Sequence, residues 1–177
     1  MNPTRKLCIA LSLAAVLAGC TIDLDSGSVF DFITIHDGNI AVHAKTGPDA
    51  IVDAAGDLSI DGKEVALTPV QRDLLKQYYA QVMATRDDGI ATGKAGAAMA
   101  GHAIGSVASG LAHGNPDSIG PAIDAHAKQI EAKAMAVCND VVAVQTKQNA
   151  IASALPAFKP YALIDGKDVS DCRSHTD

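Results

Sequence analysis

Apolar and polar positions alternate from Val29 to His43, the spacing of strands with one buried and one wet face. Asp37-Gly38 interrupts the alternation, and an Asp-Gly pair suits a type I′ turn, in which both central residues take positive φ. A hairpin closed there sets Ile35 against Ile40 and Ile33 against Val42, so that four β-branched side chains share one face. Residues 50–67 repeat the device around Asp61-Gly62, with Leu58 opposite Val65 and with Ile60 and Leu67 on the same side. Adding Ile51-Val52, which precedes Gly56-Asp57, the spacing predicts an antiparallel meander of about four or five strands. So small a sheet has to have one face covered by something apolar.

The period changes at Thr68-Pro69, with Thr as N-cap and Pro at the first helical position. Val70, Leu74, Tyr78 and Val82, joined by Leu75, Tyr79 and Met83, form an apolar stripe at helical spacing that can lie on the meander. Both tyrosines read as core and interface filler. From Gly89 the helix changes character: Gly89, Gly93, Ala97, Gly101, Gly105 and Ser109 recur every four residues as a ridge of small side chains. A break over His113-Gly114-Asn115-Pro116-Asp117 precedes a second helix from about Pro121 to Ala154. In it Ile123, Ile130, Val137, Val144 and Ile151 recur every seven residues, with Ala127, Ala134, Val141, Gln148 and Leu155 four after each. The small first half of that seam matches the small ridge, so the two patterns together predict a close-packed antiparallel helical hairpin.

The tail carries Phe158 and Tyr161, then Ile164-Asp165-Gly166-Lys167-Asp168-Val169, an echo of Ile60-Asp61-Gly62-Lys63-Glu64-Val65 that predicts another turn. The fold class read from these patterns is α+β in a single domain over 29–177: β-meander (29–67), helical hairpin (68–155) and short tail (156–177). A different reading of Gly89 to Leu111 is a membrane-active glycine zipper, since Lys94 is the one formal charge in that stretch. Lys94 and His102, and the charges Lys128, Glu131, Lys133, Asp140 and Lys147 on the next helix, favour packing in water.

The first nineteen residues have the pattern of an address. Arg5 and Lys6 precede an apolar run from Leu7 to Leu17, too short for a stable span, followed by Leu17-Ala18-Gly19-Cys20. This resembles a bacterial lipoprotein lipobox. The resemblance implies diacylation of the Cys20 thiol, cleavage before it and acylation of the new amino terminus, a two-chain anchor that holds stably. Residues 20–28 then form a polar, acidic tether. Similarity to sorted lipoproteins implies that Thr21, where Asp would favour inner-membrane retention, directs the protein to the outer membrane facing the periplasm.

Composition refines this picture. The chain is 48% hydrophobic but 3% aromatic, and 32 of its 177 residues are alanine, so each buried position contributes little apolar area. Cleavage leaves 12 basic against 20 acidic residues, which repels nucleic acid and anionic head groups. Cys138 and Cys172 remain besides the anchor in an oxidising compartment. A bridge between them would close a loop of about 35 residues, worth roughly 3–4 kcal/mol by chain entropy. Two free thiols, or pairing with a partner, are the alternatives.

Reaction-specific motifs fail on inspection. Gly-Ile-Ala-Thr-Gly-Lys at 89–94 lacks the count of a phosphate loop and has Ala95 where a magnesium-binding hydroxyl belongs. Asp57, Ser59 and Asp61 begin a calcium loop whose twelfth position is Thr68 rather than Glu. His36 and His43 share a strand face but lie about 13 Å apart at strand rise, too far to chelate one ion. His102, His113, His126 and His175 read as surface or boundary residues, and no catalytic residue, metal site or cofactor is nominated.

The run Gly56-Asp57-Leu58-Ser59-Ile60-Asp61-Gly62-Lys63-Glu64-Val65-Ala66-Leu67-Thr68-Pro69-Val70-Gln71-Arg72, ending in the Tyr78-Tyr79 helix, resembles the YggN-like family of periplasmic proteins of unknown function. Members are similar in having strand, Gly-Lys turn, strand, a helix opening before Gln-Arg, and a late helix with a Val-Cys pair, here Val137-Cys138. The resemblance covers about residues 33–90 and 130–155; the chain departs from it in its shorter length, its lipobox and its Gly/Ala-rich first helix. It implies location and architecture and brings no activity. The expectation is a lipid-anchored, non-enzymatic envelope protein that serves as a structural or protein-interaction module, with an envelope protein as its partner.

Overall fold

The computed structural model describes residues 27–112 and 119–174. Cys20 and the lipobox, His113, the break at 113–117 and His175 lie outside the described residues.

Among the described residues, six strands pair in chain order as one antiparallel meander: β1 (Gly27–Phe30), β2 (Ile33–His36), β3 (Asn39–Val42), β4 (Ala50–Val52), β5 (Leu58–Ile60) and β6 (Lys63–Glu64). The expected β2–β3 register is present, with Ile33 opposite Val42 and Ile35 opposite Ile40. Both Asp-Gly turns take positive φ at each central residue, 49° and 73° at Asp37-Gly38 and 54° and 68° at Asp61-Gly62. Strand β1 departs from expectation. It enters the sheet from Gly27, inside the stretch read as tether, and turns into β2 through Asp31-Phe32 with a register shift between Ser28 and Phe30. That turn has no Gly or Asn to mark it, which is why residues 29–43 read as a single hairpin.

Among the described residues, three helices complete the fold. Thr68 caps α1 (Pro69–Ala112) in a reciprocal box: its Oγ accepts from Gln71 N at 3.3 Å, and Gln71 Oε1 accepts from Thr68 N at 2.9 Å. The Gln71 amide also donates to Ala154 O at 2.7 Å, tying the start of α1 to the end of α2 (Ile119–Ala154). A 3-10 turn (Pro156–Tyr161) leads to α3 (Gly166–Ser174). The tail hexapeptide is thus the start of a helix, not the expected turn.

The core lies where the first part of α1 and the second part of α2 cross the sheet. Ile33, Ile35, Ile40, Val42, Val52 and Leu58 meet Leu75, Tyr78 and Val82 from α1, Val141, Val144 and Ile151 from α2, and Leu155 just after it. Phe158 closes this layer edge-on to Tyr78, with ring centroids 5.6 Å apart. Gly56, at φ +76°, lets the β4–β5 turn touch α1: a Cβ there would collide with the Arg72 carbonyl oxygen. Asp57 pairs with Arg72 beside it.

The small-residue ridge does not face α2. Gly89, Gly93, Ala97, Gly101, Gly105 and Ser109 are all exposed, and a Cβ added at any of these four glycines would meet nothing within 4 Å. Among the described side chains, the half-buried positions in that part of α1 are instead Ile90, Thr92, Ala95, Gly96, Met99, Ala103 and Ser106. The reason is the period. A step of four residues turns about 40° past a full helical turn, so a ridge of six such positions winds by roughly 200° around the axis. The Tyr78, Thr85, Thr92, Met99 series keeps a step of seven and stays on the partner side. The seam is buried at Val141, Val144, Gln148 and Ile151 of α2 and at Leu155 just beyond it, whereas Ala127 and Ile130 are exposed. Among the described residues no helix is long and apolar enough to cross a membrane.

Candidate ligand-binding groove

Where the β1–β2 corner, α1, α2 and α3 converge, a groove of about 740 Å³ opens. One wall is the stacked pair Phe30 and Phe32, with centroids 5.7 Å apart and planes 10° from parallel. The floor is Val137 and Val141 of α2 with Ile164, and Thr92 of α1 supplies a hydroxyl. The opposite wall is α3, fastened by a disulfide between Cys138 and Cys172 with Cα atoms 5.7 Å apart. Cys138 is buried, and both cysteines line the groove. The volume lies within the roughly 300–1,000 Å³ of small-molecule sites, and the mostly apolar lining with a few polar groups is also of that kind.

A second fastening lies beneath. Gln148 is fully buried in α2 and grips the Ile164 backbone at both its polar groups: its Nε2 donates to Ile164 O at 2.5 Å, and its Oε1 accepts from Ile164 N at 3.3 Å. Gln145 adds a longer bond to the same carbonyl at 3.4 Å. Asp165 then caps α3, accepting from the amides of Lys167 at 2.7 Å and Asp168 at 3.1 Å, while the Asp168 carboxylate accepts from Asp165 N at 2.8 Å. The amides of Asp168 and Lys167 hold the Asp165 carboxyl below the usual aspartate range. Because α3 buries none of its residues fully, these ties and the disulfide, with partly buried Val169 against the core, set its position.

The groove is acidic. Asp31, Asp168 and Asp171 line it, and among the described residues no Lys, Arg or His does. Asp171 accepts from Lys167 Nζ at 2.5 Å, and that bond raises the lysine pKa.

The residues singled out in the sequence fall apart in space. His36 pairs with its neighbour Asp37 at 3.1 Å, and His43 lies elsewhere, between two partners. Its Nδ1 is 2.9 Å from Asp49 Oδ1 and its Nε2 is 2.9 Å from Thr34 Oγ. This carboxylate–imidazole–hydroxyl row lies on the sheet face away from the helices, since Thr34 alternates with core-facing Ile33 and Ile35. The hairpin register could have revealed the Thr34–His43 part as a diagonal cross-strand pair. Residues 89–94, tested as a phosphate loop, are interior to α1. Asp57, Ser59 and Asp61 belong to the β5 hairpin, and among the described residues no cluster of three or more His, Cys, Asp or Glu can hold a metal. Tyr78 is in the core with its hydroxyl unpartnered and its pKa raised by burial, while Tyr79 donates to Gly38 O at 2.7 Å. The groove itself escaped sequence reading because its walls come from residues more than a hundred positions apart.

No curated protein and no solved structure matches the chain. One family model does match, over residues 20–121, a span that holds the sheet, all of α1 and the Phe30–Phe32 wall but stops before the α2 floor of the groove. The chain belongs to that family, described as a protein of unknown function (DUF2884).

Proposed function

We propose that the protein is a lipid-anchored envelope protein, held through acylated Cys20 at the periplasmic face of the outer membrane, and that it works by binding rather than by catalysis. On this reading it is a lipidated form of the YggN-like periplasmic proteins. The groove carries the proposal: its lining offers apolar surface, carboxylates and one hydroxyl, the equipment of a binding site. A disulfide in its wall suits an oxidising compartment. The leader-like residues 1–19 and the excess of acids over bases support the same location.

Two measurements test this reading. A Cys20→Ser variant should move from the membrane fraction to the soluble periplasm, and continued membrane association would sink the anchor. A photo-crosslinking residue at Phe32 or Val137 should capture the same discrete species in intact cells, whereas one at exposed Ile104 should not. Equal capture from all three positions would refute the groove as the working surface.

A further inference from the structure

We infer that the groove selects an apolar organic cation: a small molecule with a hydrocarbon or aromatic body and a positively charged head. This rests on the reading of the groove as the binding site. The body would lie against Phe32, Val137 and Val141, which burial from water favours. The head is specified by charge. Three carboxylates reach the lining from two directions, Asp31 from the β1–β2 corner and Asp168 and Asp171 from successive turns of α3. They are not equivalent: Asp171 is largely answered by Lys167, and one Asp168 oxygen is held by the Asp165 amide. Asp31, exposed at the corner, and the remaining Asp168 oxygen therefore do most of the attracting. With no basic side chain among the described residues of the lining, a fatty acid or a phosphate-bearing lipid would bring its charge to the wrong place. The stacked Phe30 and Phe32 rings add faces on which a cation is favoured within about 6 Å of the ring centroid. The chain's formal net charge of −6 biases encounter in the same direction.

The test uses the oxidised Cys20→Ser protein and three probes with the same tail, decyltrimethylammonium, decyl maltoside and decyl sulfate, each below its micelle threshold. Affinities come from calorimetry, and amide shifts at Phe32, Val137 and Ile164 locate the binding. The expected result is that the ammonium binds about tenfold more tightly than the maltoside and the sulfate more weakly still, the gap closing in about 1 M salt. Asp31→Asn should weaken the ammonium about two- to threefold and leave the maltoside unchanged, and Val137→Trp should abolish both by filling the groove. Equal affinity of ammonium and maltoside, or a preference that survives both Asp31→Asn and high salt, would overturn the cation assignment while leaving the groove intact. Failure of all three probes to shift the groove amides would overturn the binding-site reading as well. A Lys-Leu peptide that displaces the ammonium with far higher affinity would overturn the small-molecule assignment in favour of a protein segment.

Discussion

Gln148 offers a perturbation whose sign can be switched with pH. Its amide occupies a fully buried position and satisfies both backbone polar groups of one residue, so each of its two polar atoms has a separate consequence. In Gln148→Leu the Ile164 carbonyl keeps the weaker bond from Gln145, but the Ile164 amide loses the acceptor it has in Gln148. An orphaned buried amide costs about 1–3 kcal/mol and the lost bond to the carbonyl about 1 kcal/mol more, so the variant should lose about 2–4 kcal/mol. Gln148→Glu keeps the shape. When protonated, its carboxyl can donate to Ile164 O and accept from Ile164 N, reproducing the native pair. When ionised it points an oxygen at a carbonyl 2.5 Å away from the native nitrogen and buries a charge, a worse state than Leu. Burial raises the pKa of the substituted carboxyl in the folded state above its unfolded value of about 4.3. Its contribution is therefore present below the unfolded pKa and lost as pH rises through the folded one. Urea unfolding of both variants at several pH values, each referred to the native protein at the same pH, should give curves that cross. The Glu variant should be the more stable near pH 4 and the less stable at pH 7. Parallel curves, or losses under about 1 kcal/mol for both variants, would show that the Ile164 peptide is not held as described.

Removing the disulfide by Cys172→Ser should cost up to about 4 kcal/mol for a bridge spanning 34 positions, read as a shift in urea midpoint, with exchange protection lost first in α3. Gly56→Ala should cost about 2–4 kcal/mol, since the new Cβ meets a backbone oxygen at a positive φ; wild-type thermal stability in that variant would refute the close approach. The Asp140 carboxyl is raised by partial burial and by the charge and hydrogen bond of Asp88 across the hairpin. The native state therefore holds that proton longer than the unfolded chain, and this contribution to stability declines as pH rises through the raised pKa. Asp140→Asn should remove that decline from a stability-versus-pH curve, and an unchanged slope would refute it.

Local rules carried the sheet and the start of α1. Asp-Gly at two turns set the register of both hairpins, and Thr68-Pro69 marked the helix start, because type I′ geometry and capping are decided within four residues. The heptad on α2 holds where it meets the sheet and loses its meaning beyond, where Ala127 and Ile130 are exposed. The glycine ridge misleads because equal spacing does not make a common face: a four-residue step drifts around the axis. The groove was illegible for a different reason. Phe30, Val141 and Cys172 become neighbours only through the packing of α1 on α2 and the disulfide, and no local pattern encodes that proximity.

The two copies of one hexapeptide show how far local rules reach. Ile60-Asp61-Gly62-Lys63-Glu64-Val65 makes a type I′ turn with Asp61 and Gly62 at positive φ, whereas Ile164-Asp165-Gly166-Lys167-Asp168-Val169 opens α3, with neither Asp165 nor Gly166 at positive φ. Within the six residues they differ only at Glu64 and Asp168. Their C-terminal flanks differ more: Ala66-Leu67 continues an alternation, while Ser170-Asp171-Cys172 places Cys172 to reach Cys138. Asp168→Glu makes the segments identical and separates the two explanations. If flanking residues and the bridge decide, α3 persists, because Glu at the third helical position also completes a capping box and the change should lie within about 0.5 kcal/mol. If the hexapeptide itself decides, the substitution should unwind the first turn of α3 and move the Asp165 and Gly166 backbone toward positive φ. Carbon chemical shifts and amide exchange over 164–174 read this directly. Loss of helical shifts at Lys167 to Ser170 in a protein whose sheet remains intact would refute the claim that context selects between the two structures.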